Sequence, residues 1–207
     1  MNIQLVFQAV RNNWLTEQIW YLMTRDGQEA KNVSKFLKDQ VENKTTQFYL
    51  ERLIKEQRWD TISDNDVKIV KILNWVIENI EYVSDINQYK QVEYWAPALD
   101  TLLNKKGDCE DGAVLIYCLA KLSGIPTNQL QIVAGSVDGG SHCWVRYVSE
   151  KYPYNSFYID WCYDYDSSWI DDRDAFIDWN NKITPNNRYK SIWWMADEET
   201  GYKWIRK

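Results

Sequence analysis

Val67, Val70, Lys71, Leu73, Asn74 and Ile77 recur at helical spacing, which predicts a helix to about Ile80, capped by Ser63 or Asp64. Upstream, residues 28–57 hold sparser apolar positions among many charges. Phe36, Leu37, Val41, Phe48, Leu50, Leu53 and Ile54 predict one or two helices there. Tyr82 to Glu93 is polar and reads as a loop. Pro97 suits a first helical position, so Ala98 to Asn104 reads as a short helix that Lys105-Lys106-Gly107 ends. Residues 109–123 are the most apolar stretch. Ala113 to Ala120 is apolar on every side, as in a helix buried within a fold. Asp108 is its expected N-cap, with Asp111 at the capping-box position, and Gly124 and Pro126 stop it.

Beyond Pro126 the period changes from helical to two. Leu130 to Val137, His142 to Val148 and Ser156 to Trp161 are β-branched or aromatic runs of strand length. Asp138-Gly139-Gly140 predicts a hairpin between the first two, and Tyr152-Pro153-Tyr154-Asn155 a turn into the third. Tyr189 to Met195 and Tyr202 to Ile205 are two further candidate strands. A buried helix followed by an antiparallel sheet is an α+β layout.

Length and composition narrow the setting. A chain of 207 residues is expected to form a single domain, with 45% hydrophobic and 26% charged residues, as in ordinary globular chains. The net charge of −6, without a basic block, argues against nucleic acid and anionic membranes as partners. No apolar run approaches the roughly 18 residues of a membrane-spanning helix. The first residues lack the basic and apolar regions of a signal peptide, so a cytoplasmic location is expected, or a virion if the source is a phage. The four cysteines then read as free thiols. With one histidine and no CxxC pair, a zinc-ligand set is not expected.

Three residues carry candidate chemistry. Cys109 stands at the first turn of the buried helix, where about half a positive charge and unpaired N–H groups favour a thiolate and an oxyanion. His142 is the only imidazole, so a thiol nucleophile would have to use it as its base. Strand alternation puts it with Trp144 and Arg146 on one face, opposite Cys143, Val145 and Tyr147. Asp160 ends the next strand and would orient that imidazole; counting from a turn centred near residue 153 puts it opposite Arg146. Each has a plainer alternative: a buried cysteine that begins a helix, a structural histidine, and one more aspartate in an acidic segment.

Together these residues resemble a known family. Gly107-Asp108-Cys109-Glu110-Asp111 opening an apolar helix, His142 opening a strand 33 residues on, and Asp160 a further 18 on look like the transglutaminase-like superfamily of papain-type Cys-His-Asp enzymes. Tyr94-Trp95-Ala96-Pro97-Ala98-Leu99-Asp100-Thr101-Leu102 is similar to the aromatic-Pro-x-x-Thr-Leu lead-in of bacterial and phage members. The resemblance covers about residues 67–165, leaving residues 1–60 as a helical N-terminal extension and 170–207 as a Trp-rich C-terminal extension. It implies a papain/transglutaminase-like core in which Cys109 attacks an amide carbonyl, His142 relays the proton and Asp160 orients His142. The thioester then passes to water, as in a protease or amidase, or to an amine, as in a transglutaminase. Trp95 or Tyr94 is the implied side-chain donor to the oxyanion, and the implied substrate is a protein or peptide.

Asp108, Glu110 and Asp111 raise both thiol and imidazole pKa values, so the expected compromise is a thiolate–imidazolium pair. Capping by Asp108 and Asp111, with a solvated Glu110, is the plainer role. A bacterial subgroup of this superfamily that cleaves adhesins holds calcium on acidic residues around this cysteine. Calcium takes about six to eight oxygens and three carboxylates fall short, so no cofactor is expected and calcium remains the alternative. Asp164-Tyr165-Asp166-Ser167-Ser168-Trp169 begins like a calcium loop, but Trp169 and Ala175 stand where a glycine and a glutamate are needed, which rejects an EF-hand.

Of 12 tryptophans, Trp161, Trp169, Trp179, Trp193, Trp194 and Trp204 crowd the C-terminal stretch. They suit sheet packing, a peptide or sugar groove, or a partner surface, with Trp193 and Trp194 on opposite faces. An enzyme acting on amides is therefore set against a non-catalytic or virion-type structural component of the same fold, and against a carbohydrate-binding module.

Overall fold

The computed structural model describes residues 14–149, 151, 156–162 and 189–203. The Asp164–Asp171 segment, the Tyr152–Asn155 turn and Trp169, Trp179 and Trp204 lie outside them. Two helices open the fold where one or two were expected: α1 (Trp14–Glu42), which begins well before residue 28, and α2 (Lys44–Glu56). Asn43 separates them because its side chain accepts from the Thr45 and Thr46 N–H groups, each at 3.0 Å, and so starts a new helix. α3 (Asn65–Asn79) begins on Asp64, one of the two expected caps.

The polar Tyr82–Glu93 stretch is more ordered than its composition suggests. A two-residue strand β1 (Glu81–Tyr82) pairs in parallel with β2 (Lys106–Gly107), and one helical turn, α4 (Asp85–Gln88), follows. These elements have no apolar period to announce them. Backbone bonds fix them instead, from Glu81 N–H to the Lys105 carbonyl and from Val83 N–H to the Gly107 carbonyl, both 2.9 Å. Pro97 caps α5 (Ala98–Asn104) rather than entering it, and Lys105 ends it in the left-handed region.

α6 (Cys109–Leu122) is the expected buried helix. It packs on the sheet through β3 and β4 on one side and on α1, α2, α3 and α5 on the others, which is why its sequence is apolar all round. The sheet comprises β3 (Leu130–Val137), β4 (Gly140–Val148), β5 (Ser156–Ile159), β6 (Tyr189–Ala196) and β7 (Gly201–Lys203). Its order is β5-β4-β3-β6-β7 with every neighbouring pair antiparallel. The hairpin of β4 and β5 is offset from the expected count, since Arg146 pairs with Tyr158 rather than Asp160. β5 also ends at Ile159, so Asp160 lies just past the paired strand, closer to His142 than the expected register put it.

Two polar contacts tie the periphery to this core. Buried Asp66 on α3 accepts from Tyr147 (2.7 Å) and Ser149 (2.8 Å) at the end of β4. The Gln40 side chain on α1 accepts from the first free N–H of α5, at Ala98 (3.1 Å). Among the described residues no helix is long and apolar enough to cross a membrane.

Candidate active site

Cys109 begins α6, half-buried, with Asp108 as N-cap. The Asp111 carboxylate reaches back to the Asp108 N–H (3.3 Å) and also accepts from the Ala96 N–H (2.7 Å). The helix start is thereby fastened to the lead-in segment recognised in the sequence. All four cysteines are free thiols.

On the sheet, His142 and Asp160 meet. Nε2 of His142 lies 2.7 Å from Oδ2 of Asp160, and both residues are buried. The same oxygen accepts from the Tyr189 hydroxyl (2.9 Å), while Oδ1 accepts from the Cys162 N–H (3.1 Å). The imidazole stacks on Trp144 at 5.9 Å between centroids and 22° between planes, as strand alternation predicts for residues two apart. Trp144 packs in turn on Tyr158 and Tyr189. Tyr189 is a site residue that the sequence did not reveal, because it comes from β6, 29 residues beyond its acceptor.

The segment after Asp160 joins the two halves. The Trp161 indole N–H donates to the Cys109 carbonyl (3.3 Å), and its ring lies 5.9 Å from that of Tyr82. Gly112, one turn into α6, makes room for it: a Cβ there would stand 2.1 Å from two indole atoms. Gly112→Ala therefore sets a helix-propensity gain of about 1 kcal/mol against overpacking. A gap of 2.1 Å cannot be absorbed without moving the indole and breaking its bond to Cys109. We expect a net loss of about 2 kcal/mol in urea unfolding; an unchanged midpoint would show that the indole has room to yield.

Two expectations change at this helix end. Glu110 is not solvated but buried, and Oε2 accepts a hydrogen bond from Sγ of Cys109 at 3.0 Å. Burial, then the Glu110 charge, pushes the Cys109 thiol far above its ordinary range. The expected thiolate is therefore disfavoured in this state, because the helix terminus competes with desolvation and a carboxylate in contact. Glu110 itself is pushed up to about 10 by burial and by Asp108 beside it, and Asp111 up to about 7 by burial.

The second change is a fourth carboxylate. Asp85, from the stretch read as a loop, joins Asp108, Glu110 and Asp111, and the four are 2%, 9%, 4% and 0% exposed. Asp85 N–H donates to Asp108 (3.3 Å), and Oδ2 of Asp85 accepts from the Tyr94 N–H. Oxygens of Asp85, Asp108 and Asp111 lie within 4.8 Å of one another. Oδ1 of Asp85, Oδ1 of Asp108 and Oε1 of Glu110 are buried without a hydrogen-bond partner. Unpartnered buried carboxylate oxygens on neighbouring acids suit a hard cation such as calcium.

Of the two aromatic candidates for an oxyanion donor, Trp95 has its indole N–H bonded elsewhere. The Trp95 indole N–H donates to Glu93 (3.2 Å) and its ring packs on Phe36 and Trp194. Tyr94 packs against Tyr89. The aromatic ring packed beside Trp161 is that of Tyr82, which is more than half exposed.

No curated protein matches the sequence. Among solved structures, Legionella pneumophila LapG aligns over 90% of this chain and 86% of its own, at 17% identity and a TM-score of 0.50. Its EGTA-treated form aligns over 90% and 84%, at 16% identity and 0.50. Its calcium-bound form aligns over 90% and 86%, at 17% identity and 0.46. At these identities the likeness is one of fold. The family model of the transglutaminase-like superfamily matches residues 55–170, more than half of the chain. The helix bearing Cys109, the His142–Asp160 pair and the antiparallel sheet all fall in or touch that span, and the chain belongs to the transglutaminase-like superfamily.

Proposed function

We propose that this chain is a cysteine enzyme that cleaves or transfers an amide acyl group. The observation that carries this reading is the 2.7 Å bond between His142 and Asp160, held beside a helix that begins with a cysteine. Asp160 fixes Nε2, so Nδ1 is the ring atom for proton exchange with the thiol. In the first step Sγ of Cys109 forms a bond to the amide carbon as its proton passes to His142. The carbonyl oxygen becomes an oxyanion, for which the Cys109 N–H at the helix start is the nearest backbone donor. The tetrahedral species then collapses, the C–N bond breaks, and the amine leaves with the proton from His142. Water, or a second amine, attacks the thioester with His142 again as base, releasing the acid or the new amide and restoring the thiol.

For this cycle Cys109 must give up its bond to Glu110. Asp85, Asp108, Glu110 and Asp111 are the residues that would hold calcium, and its charge there would offset the carboxylates that keep the thiol protonated. The Cys109–Glu110 bond is also the one observation that favours the other reading, a structural member of the superfamily with an idle thiol.

Intact-mass analysis of the full chain, mixed with a denatured protein substrate and calcium and quenched in acid, separates them. The enzyme reading expects an acyl adduct that maps to Cys109 and is lost in Cys109→Ala. Adding hydroxylamine should divert product to the hydroxamate. A panel of unrelated protein substrates that gives neither adduct nor cleavage supports the structural reading.

A further inference from the structure

Away from the acidic cluster at the start of α6, where Asp85, Asp108 and Asp111 offer oxygen and Cys109 stands with Asp108 and Glu110, the described residues bring together a further set of metal-ligating side chains. We propose that His142, Asp160 and Cys162 form a zinc site that switches the enzyme off. A ring nitrogen of His142, a carboxylate oxygen of Asp160 and Sγ of Cys162 lie within 4.8 Å of one another. Nothing in the triad reading uses the Cys162 thiol. Its backbone N–H bonds Asp160 Oδ1 (3.1 Å) and turns the chain so that Sγ faces back on the pair.

Imidazole nitrogen, thiolate sulfur and carboxylate oxygen are the ligands zinc selects, whereas calcium takes oxygen alone. Zinc bonds of about 2.0–2.3 Å put tetrahedral ligands roughly 3.3–3.8 Å apart. The His142–Asp160 pair, at 2.7 Å, would open by about half an ångström, and Cys162 would close in. Binding releases the Cys162 thiol proton; a neutral imidazole keeps its one proton on the ring nitrogen that zinc leaves, an imidazolium gives one up, and water takes the fourth position. The end of β5 differs from the start of α6 in offering imidazole nitrogen beside sulfur and oxygen, where the start of α6 offers carboxylate oxygens and the Cys109 thiol. Zinc on the imidazole would stop proton exchange with Cys109. That effect on turnover rests on the reading above; the binding does not.

The test uses the full chain as Cys109→Ser, so that the nucleophile contributes no ligand, with calcium in excess. Cobalt(II) is the spectroscopic probe and zinc the competitor. We expect one cobalt per chain with a thiolate-to-metal charge-transfer band that zinc abolishes. Cys162→Ser should lose the band and at least tenfold in affinity. His142→Asn should keep the band but also bind at least tenfold more weakly. A band that survives in Cys162→Ser, or no band in the parent, overturns the proposal. If the band behaves as expected but the wild-type chain turns over no amide, the zinc site stands and the enzyme reading fails.

Discussion

His142→Ala is expected to lower amide turnover by a factor of about 10³, with the fold intact. The imidazole is the only one in the chain, so no second base can substitute for it. It lies on the Trp144 ring and bonds Asp160, and alanine removes the proton carrier while leaving Cys109 and the helix terminus in place. Asp160→Asn should cost nearly as much. Among the described residues Asp160 accepts from His142, Tyr189 and the Cys162 N–H, and an amide in its place presents an N–H to one of these partners. Single-turnover rates on one peptide amide, with substrate saturating, measure both. Loss within tenfold for either variant would mean the pair is structural.

The second large effect is on stability. Folding raises Asp111 to about 7 and Glu110 to about 10, in both cases first through burial. A carboxyl whose pKa is higher folded than unfolded binds its proton more tightly in the folded state. The stabilisation is therefore complete below the unfolded value near 4 and is lost as pH rises through the folded value. Metal-free chain should become less stable as pH climbs from about 5 to about 8, by on the order of 2–4 kcal/mol. That is roughly 5–10 °C in Tm for a chain of this size. Calcium needs the ionised forms, so it should restore most of that loss at the upper pH and do little at the lower one. Thermal melts in EGTA and in calcium, at three pH values, read this directly. Asp111→Asn should flatten the slope. A Tm that rises with pH in EGTA, or a calcium effect that Asp111→Asn does not alter, would contradict it.

How much of this was legible in the sequence differs by element. The buried helix was plain because α6 is enclosed on every side, so its sequence carries no polar stripe. Its start was equally plain, since a cap, an N3 acid and a cysteine fall together. The His142–Asp160 contact could be foreseen in kind, but not in register, because β5 stops one residue before Asp160. Asp85 and Tyr189 were hidden for a different reason. Asp85 sits in a polar stretch ordered by backbone bonds to Lys105 and Gly107, which leave no periodic trace. Tyr189 lies on β6, which pairs with β3 and stands 29 residues along the chain from Asp160, so no local spacing links the two. The burial of Glu110 leaves no trace in the sequence, because the Asp85 turn and the 94–96 segment reach the start of α6 only through bonds to Asp108 and Asp111.

The central claim is that Cys109 is a nucleophile activated by His142. Alkylation rates of all four cysteines, followed by peptide mass mapping from about pH 4 to about pH 9 with calcium present, test it most directly in wild type and His142→Ala. Cys118 and Cys143 are buried and Cys162 is half-buried like Cys109, so Cys162 is the internal control for access. The account predicts that Cys109 reacts faster than Cys162 below pH 7 and that His142→Ala erases the difference. Equal rates for the two thiols in the wild type, or an advantage of Cys109 that survives without His142, would contradict it.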